Sequence, residues 1–179
     1  MKPAVAVVLV ALSATTLIAS EESAGSDQAL SRRLTAMASD LQTSEKKIVR
    51  ELAGEAHNRN ISVDVLAGLE SQLYEDVLTL LDGALAADPD NLHAHALSGE
   101  VLFAKAKDAD GTYDVCTVLD AQDEADRIIE DSDIADPADV TFARDLRKKI
   151  KAIPRALMSD DPATCSDQPD QGSQRASLR

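Results

Sequence analysis

The chain has 179 residues, 32 of them acidic and 18 basic, for a net charge of −14, and its aromatic residues are two Phe and two Tyr with no Trp. That charge excludes a whole surface built to hold phosphate, so no nucleic-acid partner is expected. So few rings exclude a base-stacking platform or an aromatic cage. An apolar share of 44% supplies one folded domain of modest size.

Residues 1–20 form a unit of their own. Lys2 gives a short positive start, Ala4 to Leu12 is unbroken apolar sequence, and small Ala19 and Ser20 precede Glu21 and Glu22. This pattern predicts a secretory signal peptide cut near Ser20. The apolar stretch falls short of the roughly 20 residues a spanning helix needs, so membrane attachment is expected only if the segment stays uncleaved. Export to a periplasm, cell envelope or secreted space follows as the expected location. Residues 21–26 are a polar linker.

A long amphipathic helix is expected from Asp27. Its apolar positions, Leu30, Leu34, Met37, Leu41, Ile48 and Leu52, alternate steps of three and four, with Ser44 at the missing step. The stripe suits a helix lying on its own domain, or a short coiled coil that makes the protein oligomeric. His57 to Asn60 ends the pattern, and Ser62 is placed to cap the next helix. That helix carries Val65, Leu66, Leu69, Leu73, Val77, Leu78, Leu80, Leu81 and Leu85. So wide an apolar stripe predicts the central helix of the fold. Asp88-Pro89-Asp90-Asn91 closes it, and the polar residues there cap the next helix. A third helix spans about 92–107, and Asp108 to Thr112 is a turn. A helical pattern resumes through Ala121, Ala125, Ile128 and Ile129. Asp136-Pro137 starts the last helix, which Pro154 ends. Nothing alternates as a strand would, so the fold class is all-α, with residues 27–158 folded and 159–179 a disordered polar tail.

The stretch Tyr74 to Phe103 resembles a tetratricopeptide repeat. Ala84, Pro89 and Gly99 stand at that family's spacings, with Leu81 on the packing face and Leu102 one turn beyond Gly99. Small residues at such a crossing let helices approach to about 8–9 Å. The departures are also plain. Nothing near Leu69 to Leu73 divides the preceding segment into two helices. Pro89 and Pro137 are 48 positions apart, about 14 more than one repeat takes. The resemblance therefore implies antiparallel helical hairpins over about 74–130, one to one and a half degenerate repeats, flanked by the long N-terminal helix. It also implies a groove for a protein partner, lined by His93, Ala96, Glu100 and Phe103. Phe103 has an alternative place in the core.

The remaining chemistry is sparse. His93 and His95 are two apart on a helix and diverge by about 200°, so they cannot chelate one ion. If Gly111 were the glycine of an EF-hand loop, the first and last ligand positions would hold Ala106 and Thr117, which excludes that loop; a solvated acidic turn fits Asp108, Asp110 and Asp114 better. No nucleophile elbow, phosphate loop or dinucleotide fingerprint is present. A non-catalytic chain without metal or cofactor is expected. Cys116 and Cys165 are the only cysteines. In an exported chain they predict a disulfide closing a loop of about 50 residues, with two free thiols as the alternative. Charge is segregated: Asp64 to Asp139 holds 20 acidic and 3 basic residues, a net of −17, whereas Val140 to Arg155 holds 6 basic and 1 acidic. Arg144, Arg147, Lys148, Lys149 and Lys151 either neutralise the acidic body or form a basic patch for anionic lipid or an acidic partner.

Overall fold

The computed structural model describes residues 4–59, 62–159 and 165. Five α-helices follow in order: α1 (Ala4–Arg59), α2 (Val63–Ala87), α3 (Leu92–Lys105), α4 (Val115–Glu130) and α5 (Pro137–Lys151), then a single 3-10 turn at Arg155–Leu157. Among the described residues there are no strands, only isolated bridges from Tyr113 to Lys107 and to Met158.

Four of the helices begin where a short polar side chain can accept from the first free amides. Ser62 Oγ accepts from Val65 N (3.3 Å), Asn91 Oδ1 from Ala94 N (3.1 Å), Asp114 Oδ1 from Thr117 N (2.7 Å) and Asp136 Oδ1 from Ala138 N (2.7 Å). Each such cap contributes about 1 kcal/mol. Pro137 follows its cap at the first helical position, where a missing N–H costs nothing. Between α3 and α4 the chain turns at Gly111, whose φ of +87° is a conformation that a residue with a Cβ rarely adopts.

Two cores meet at one helix. Ala38 of α1, Leu73, Val77, Leu81 and Ala84 of α2, and Ala94 and Val101 of α3 form the first. Ala96 and Ala106 at α3, Val118, Ala121, Ala125 and Ile128 of α4, and Val140, Ala143, Leu146 and Ile150 of α5 form the second. Among the described residues, α3 is the one helix that packs against all four others, whereas α1 does not touch α5 and α2 does not touch α4. The expectation that α2 is central is thereby corrected. Its Val65 and Leu69 are 53% and 47% exposed. A wide leucine stripe supplies apolar surface, but the central place goes to the short helix whose small residues admit neighbours on both sides.

Gly99 shows that admission directly. A Cβ added there would stand 3.2 Å from Leu146 Cδ2, 3.4 Å from Glu124 Cβ and 3.5 Å from the Ala121 carbonyl oxygen. Ala106 to Asp114 form the loop joining α3 to α4.

The backbone of residues 21–26, expected as a linker, is helical and continuous within α1, as is that of residues 4–20. That stretch contains one glycine and no proline, so nothing in it breaks a helix. No helix among the described residues is long and apolar enough to cross a membrane. Cys116 and Cys165 are at disulfide distance, with S–S 2.12 Å and Cα–Cα 5.3 Å. The bridge ties the chain beyond α5 to the start of α4. Backbone bonds reinforce it: Tyr113 N donates to the Leu157 carbonyl (2.7 Å) and Ser159 N to that of Tyr113 (3.0 Å). Of the expected disordered tail, residues 159–179, all but Ser159 and Cys165 lie outside the described residues.

Candidate functional site: a channel floored by the third helix

Because α1 and α5 pack on α3 but not on each other, the face of α3 between them is a candidate channel. The residues expected to line a groove, His93, Ala96, Glu100 and Phe103, are spaced 3, 4 and 3 along α3, so they share one stripe of the helix. The structure gives them different surroundings. His93 Nδ1 donates to Asp139 Oδ1 of α5 (3.1 Å). Glu100 accepts from Lys46 Nζ of α1 (2.8 Å). These two contacts tie α3 to α5 and to α1. Ala96 is 6% exposed and belongs to the second core. Phe103 is half-buried against that core, its ring centroid 5.9 Å from that of Tyr113. Its surroundings fit the core alternative, with Tyr113 of the α3–α4 loop beside it.

A pocket of about 370 Å³ lies between α1 and the start of α3, lined by Arg32, Thr35, Ser39, Asp40, Asn91 and His93. Its back is polar and fixed. Asn91 Nδ2 donates to Ser31 Oγ (2.8 Å) and Thr35 Oγ1 (3.1 Å), while the Thr35 hydroxyl donates to the Ser31 carbonyl (2.8 Å). Ser31 and Thr35 are buried, so Asn91 caps α3 and at the same time holds α1 against it. The cap was legible in the sequence. The latch was not, since its partners lie 56 and 60 residues away. The only signal was the presence of two hydroxyl residues, Ser31 and Thr35, four apart on one side of α1.

His95, beside His93 in sequence, points elsewhere. Its Nδ1 meets Glu124 Oε2 of α4, and its Nε2 meets the Pro89 carbonyl at 2.9 Å. A neutral imidazole carries one N–H, so only the imidazolium makes both bonds. Burial alone would lower the pKa of His95, but the Glu124 carboxylate and the Pro89 carbonyl outweigh it and raise the pKa above its usual value. Arg127 of α4 opposes them weakly and pairs with Asp90 at 2.9 Å. The α2–α3 loop is thus held to α4 at two points.

The acidic turn and the basic helix settle differently. Asp110 Oδ1 accepts from the Thr112 amide (3.1 Å) and hydroxyl (2.8 Å), which hold its carboxyl below the usual range. Asp114 is the cap of α4. No group of three or more His, Cys, Asp or Glu among the described residues is placed to hold a metal ion. On α4, burial and then the negative charges of Asp123, Asp114 and Glu124 raise the Asp120 pKa. On α5, Arg147 meets Asp126 of α4 at 2.9 Å. The N–H is not aimed at the oxygen, so this is a Coulombic contact rather than a hydrogen bond. Lys148 pairs with Asp145 in its own helix (3.0 Å). Arg144, Lys149 and Lys151 are exposed and make no ion pair among the described residues. Arg147 thus meets the acidic body, while Arg144, Lys149 and Lys151 present cations to solvent.

No family model, no curated protein and no solved structure matches this chain. Function is therefore argued from the channel and its walls.

Proposed function

We propose that this chain is an exported, non-catalytic interaction module that binds a protein partner along the channel floored by α3. The observation that carries the reading is the arrangement of α1, α3 and α5. The outer two helices leave α3 between them without touching each other, and a concave face lined by helices suits an extended or helical segment. The tetratricopeptide-like character of the hairpins is part of this reading. The Ala84, Pro89, Gly99 spacing supports it, and so does the close approach of Gly99 to α4 and α5. The signal-like residues 1–20 and the Cys116–Cys165 pair support export.

The test is site-specific photo-crosslinking in the native compartment. The reading expects partner adducts from a crosslinker at Ser39, on the channel wall, and none from one at Glu130, on the far side of α4. Adducts from both positions alike, or from neither, contradict it. Glu100→Lys, which replaces the anion bound to Lys46, is expected to abolish the Ser39 adduct.

One observation favours a second reading, a structural bundle that oligomerises through α1. Leu30, Met37 and Ile48 remain 49%, 49% and 52% exposed along one edge of that helix, while Leu34, Ala38 and Leu41 pack on α2. Sedimentation equilibrium discriminates. A monomer at all concentrations removes the second reading, and a dimer that Met37→Lys dissociates supports it.

A further inference from the structure

Seven large apolar side chains stay exposed among the described residues, and five of them, Leu30, Met37, Ile48, Val65 and Leu69, belong to α1 and α2. They are not scattered. Leu30, Met37, half-buried Leu41 and Ile48 follow one another by 7, 4 and 7 residues, which keeps them on one stripe of α1. Val65, Leu69 and half-buried Leu80 follow by 4 and 11 on α2 and likewise share a stripe. The two stripes meet, since Met37 and Leu41 line a pocket of about 320 Å³ with Leu80. The helices run antiparallel: Leu34 lies against Gly83, while Val49 shares a pocket with Leu73. That register places Leu69 abreast of Ile48, so one apolar ribbon covers both helices. It turns away from α3. Ser31, Thr35 and Lys46, through which α1 reaches α3, stand about 100–160° round the helix from Leu30.

Charges on the outer flank of the ribbon repeat by seven. Arg33, Asp40 and Lys47 are exposed and make no ion pair among the described residues. A helix would offer Asp40 a cation three or four residues away, but those places hold Ala36, Met37, Thr43 and Ser44. Asp40 therefore has no partner in its own helix. In a twofold pair of antiparallel helices each flank meets itself. Asp40 of one copy then faces Arg33 of the other, the twofold repeats the bond, and the two Met37 side chains sit beside the axis. Parallel helices would bring opposite flanks together and leave Asp40 unpaired. Size agrees as well. From Leu30 to Ile48 the ribbon is about 27 Å long, and two packed helices make it about 20 Å wide. Pairing it with itself buries about 1,000 Å² in all, the lower bound for a specific interface.

We infer that the α1–α2 ribbon is a homodimer interface, in which two copies pack face to face with their α1 helices antiparallel. The inference rests on the oligomerising reading of α1 and deepens it: it names a second copy as the mate, adds α2 to the interface and fixes the direction. The pair is closed, because the twofold uses each ribbon once. It also leaves the pocket of α1 and α3 free. Ser39 stands half a turn round α1 from Leu30, so the dimer presents that pocket twice, on its outer sides.

Sedimentation equilibrium of the full chain is the readout, with circular dichroism to confirm that each variant keeps its helices. The native chain is expected to show a monomer–dimer equilibrium. Arg33→Glu, which sets carboxylates against each other at both symmetric places, is expected to weaken the dimer about tenfold. Arg33→Glu/Asp40→Arg reverses each pair and is expected to restore the native affinity. Leu69→Glu, at an exposed position where Glu is about as good a helix former as Leu, is expected to weaken it about tenfold too. A monomer up to about 1 mM would overturn the inference and the oligomerising reading together. A dimer indifferent to Leu69→Glu, or one that the double reversal fails to restore, would overturn the inference alone and leave oligomerisation through α1. None of these outcomes bears on the Ser39 crosslink, so the channel is tested separately.

Discussion

The two cores on either side of α3 are built differently. The first, between α1, α2 and α3, is wrapped by partly buried leucines, Leu34, Leu41, Leu78, Leu80, Leu85 and Leu97, and is fixed by a polar latch at one end, Ser31, Thr35 and Asn91. Its outer edge keeps Leu30, Met37 and Ile48 in contact with water. The second is rich in alanine and is tied from several directions: the Cys116–Cys165 bridge, the Arg147–Asp126 contact, and the His95 and Arg127 links to the α2–α3 loop. The lesson is that one half is closed by cross-links between its parts, and the other is left with surface to offer. Small side chains allow close approach but bury little area each, so the second core needs ties that the first does not.

The comparison can be broken most forcefully at the disulfide. Cys116→Ala/Cys165→Ala is expected to cost about 4 kcal/mol, lowering the thermal midpoint by about 10 °C, because a loop of some 50 residues is no longer closed in the unfolded chain. Calorimetry of native and variant chains measures it. A loss below about 1 kcal/mol would mean that the second half does not depend on its covalent tie.

Asn91→Ala comes next and strikes the first half. It removes the α3 cap and leaves the buried Ser31 and Thr35 hydroxyls without their donor, for about 2–3 kcal/mol in chemical denaturation. The exchange of α1 amides should quicken more than that of α4.

His95 gives a smaller, pH-dependent effect. Its pKa is raised in the folded chain. The stability it contributes is therefore complete below the unfolded value of about 6.5 and is lost as pH rises through the folded value. His95→Gln should flatten that part of the stability profile, by about 1 kcal/mol at its acid end. A profile unchanged by the substitution would remove the imidazolium from the account. The smallest effect is expected at Met37→Lys, within about 0.5 kcal/mol for the monomer, since half of that side chain is already in water.

Much of this architecture was legible because it is local. Ser62, Asn91 and Asp136-Pro137 mark helix starts through bonds two or three residues long, and periodicity marks the helices between them. What failed was weight. Nine leucines and valines made α2 look central, but centrality depends on how many neighbours a helix admits, and α3 admits them through Ala94, Ala96 and Gly99. The neighbour of Phe103, Tyr113, comes from across a loop whose path no spacing reveals.

The central claim is that α3 is a wall shared by two cores, one of them more loosely held. Native-state hydrogen exchange tests it most directly. The account predicts that the amides of α3 around Leu97 and Val101 exchange only through global unfolding. Those of α1 from Leu30 to Leu52 should open at lower free energy, while α4 stays closed. Highest protection in α2, or α3 opening together with α1, would contradict it.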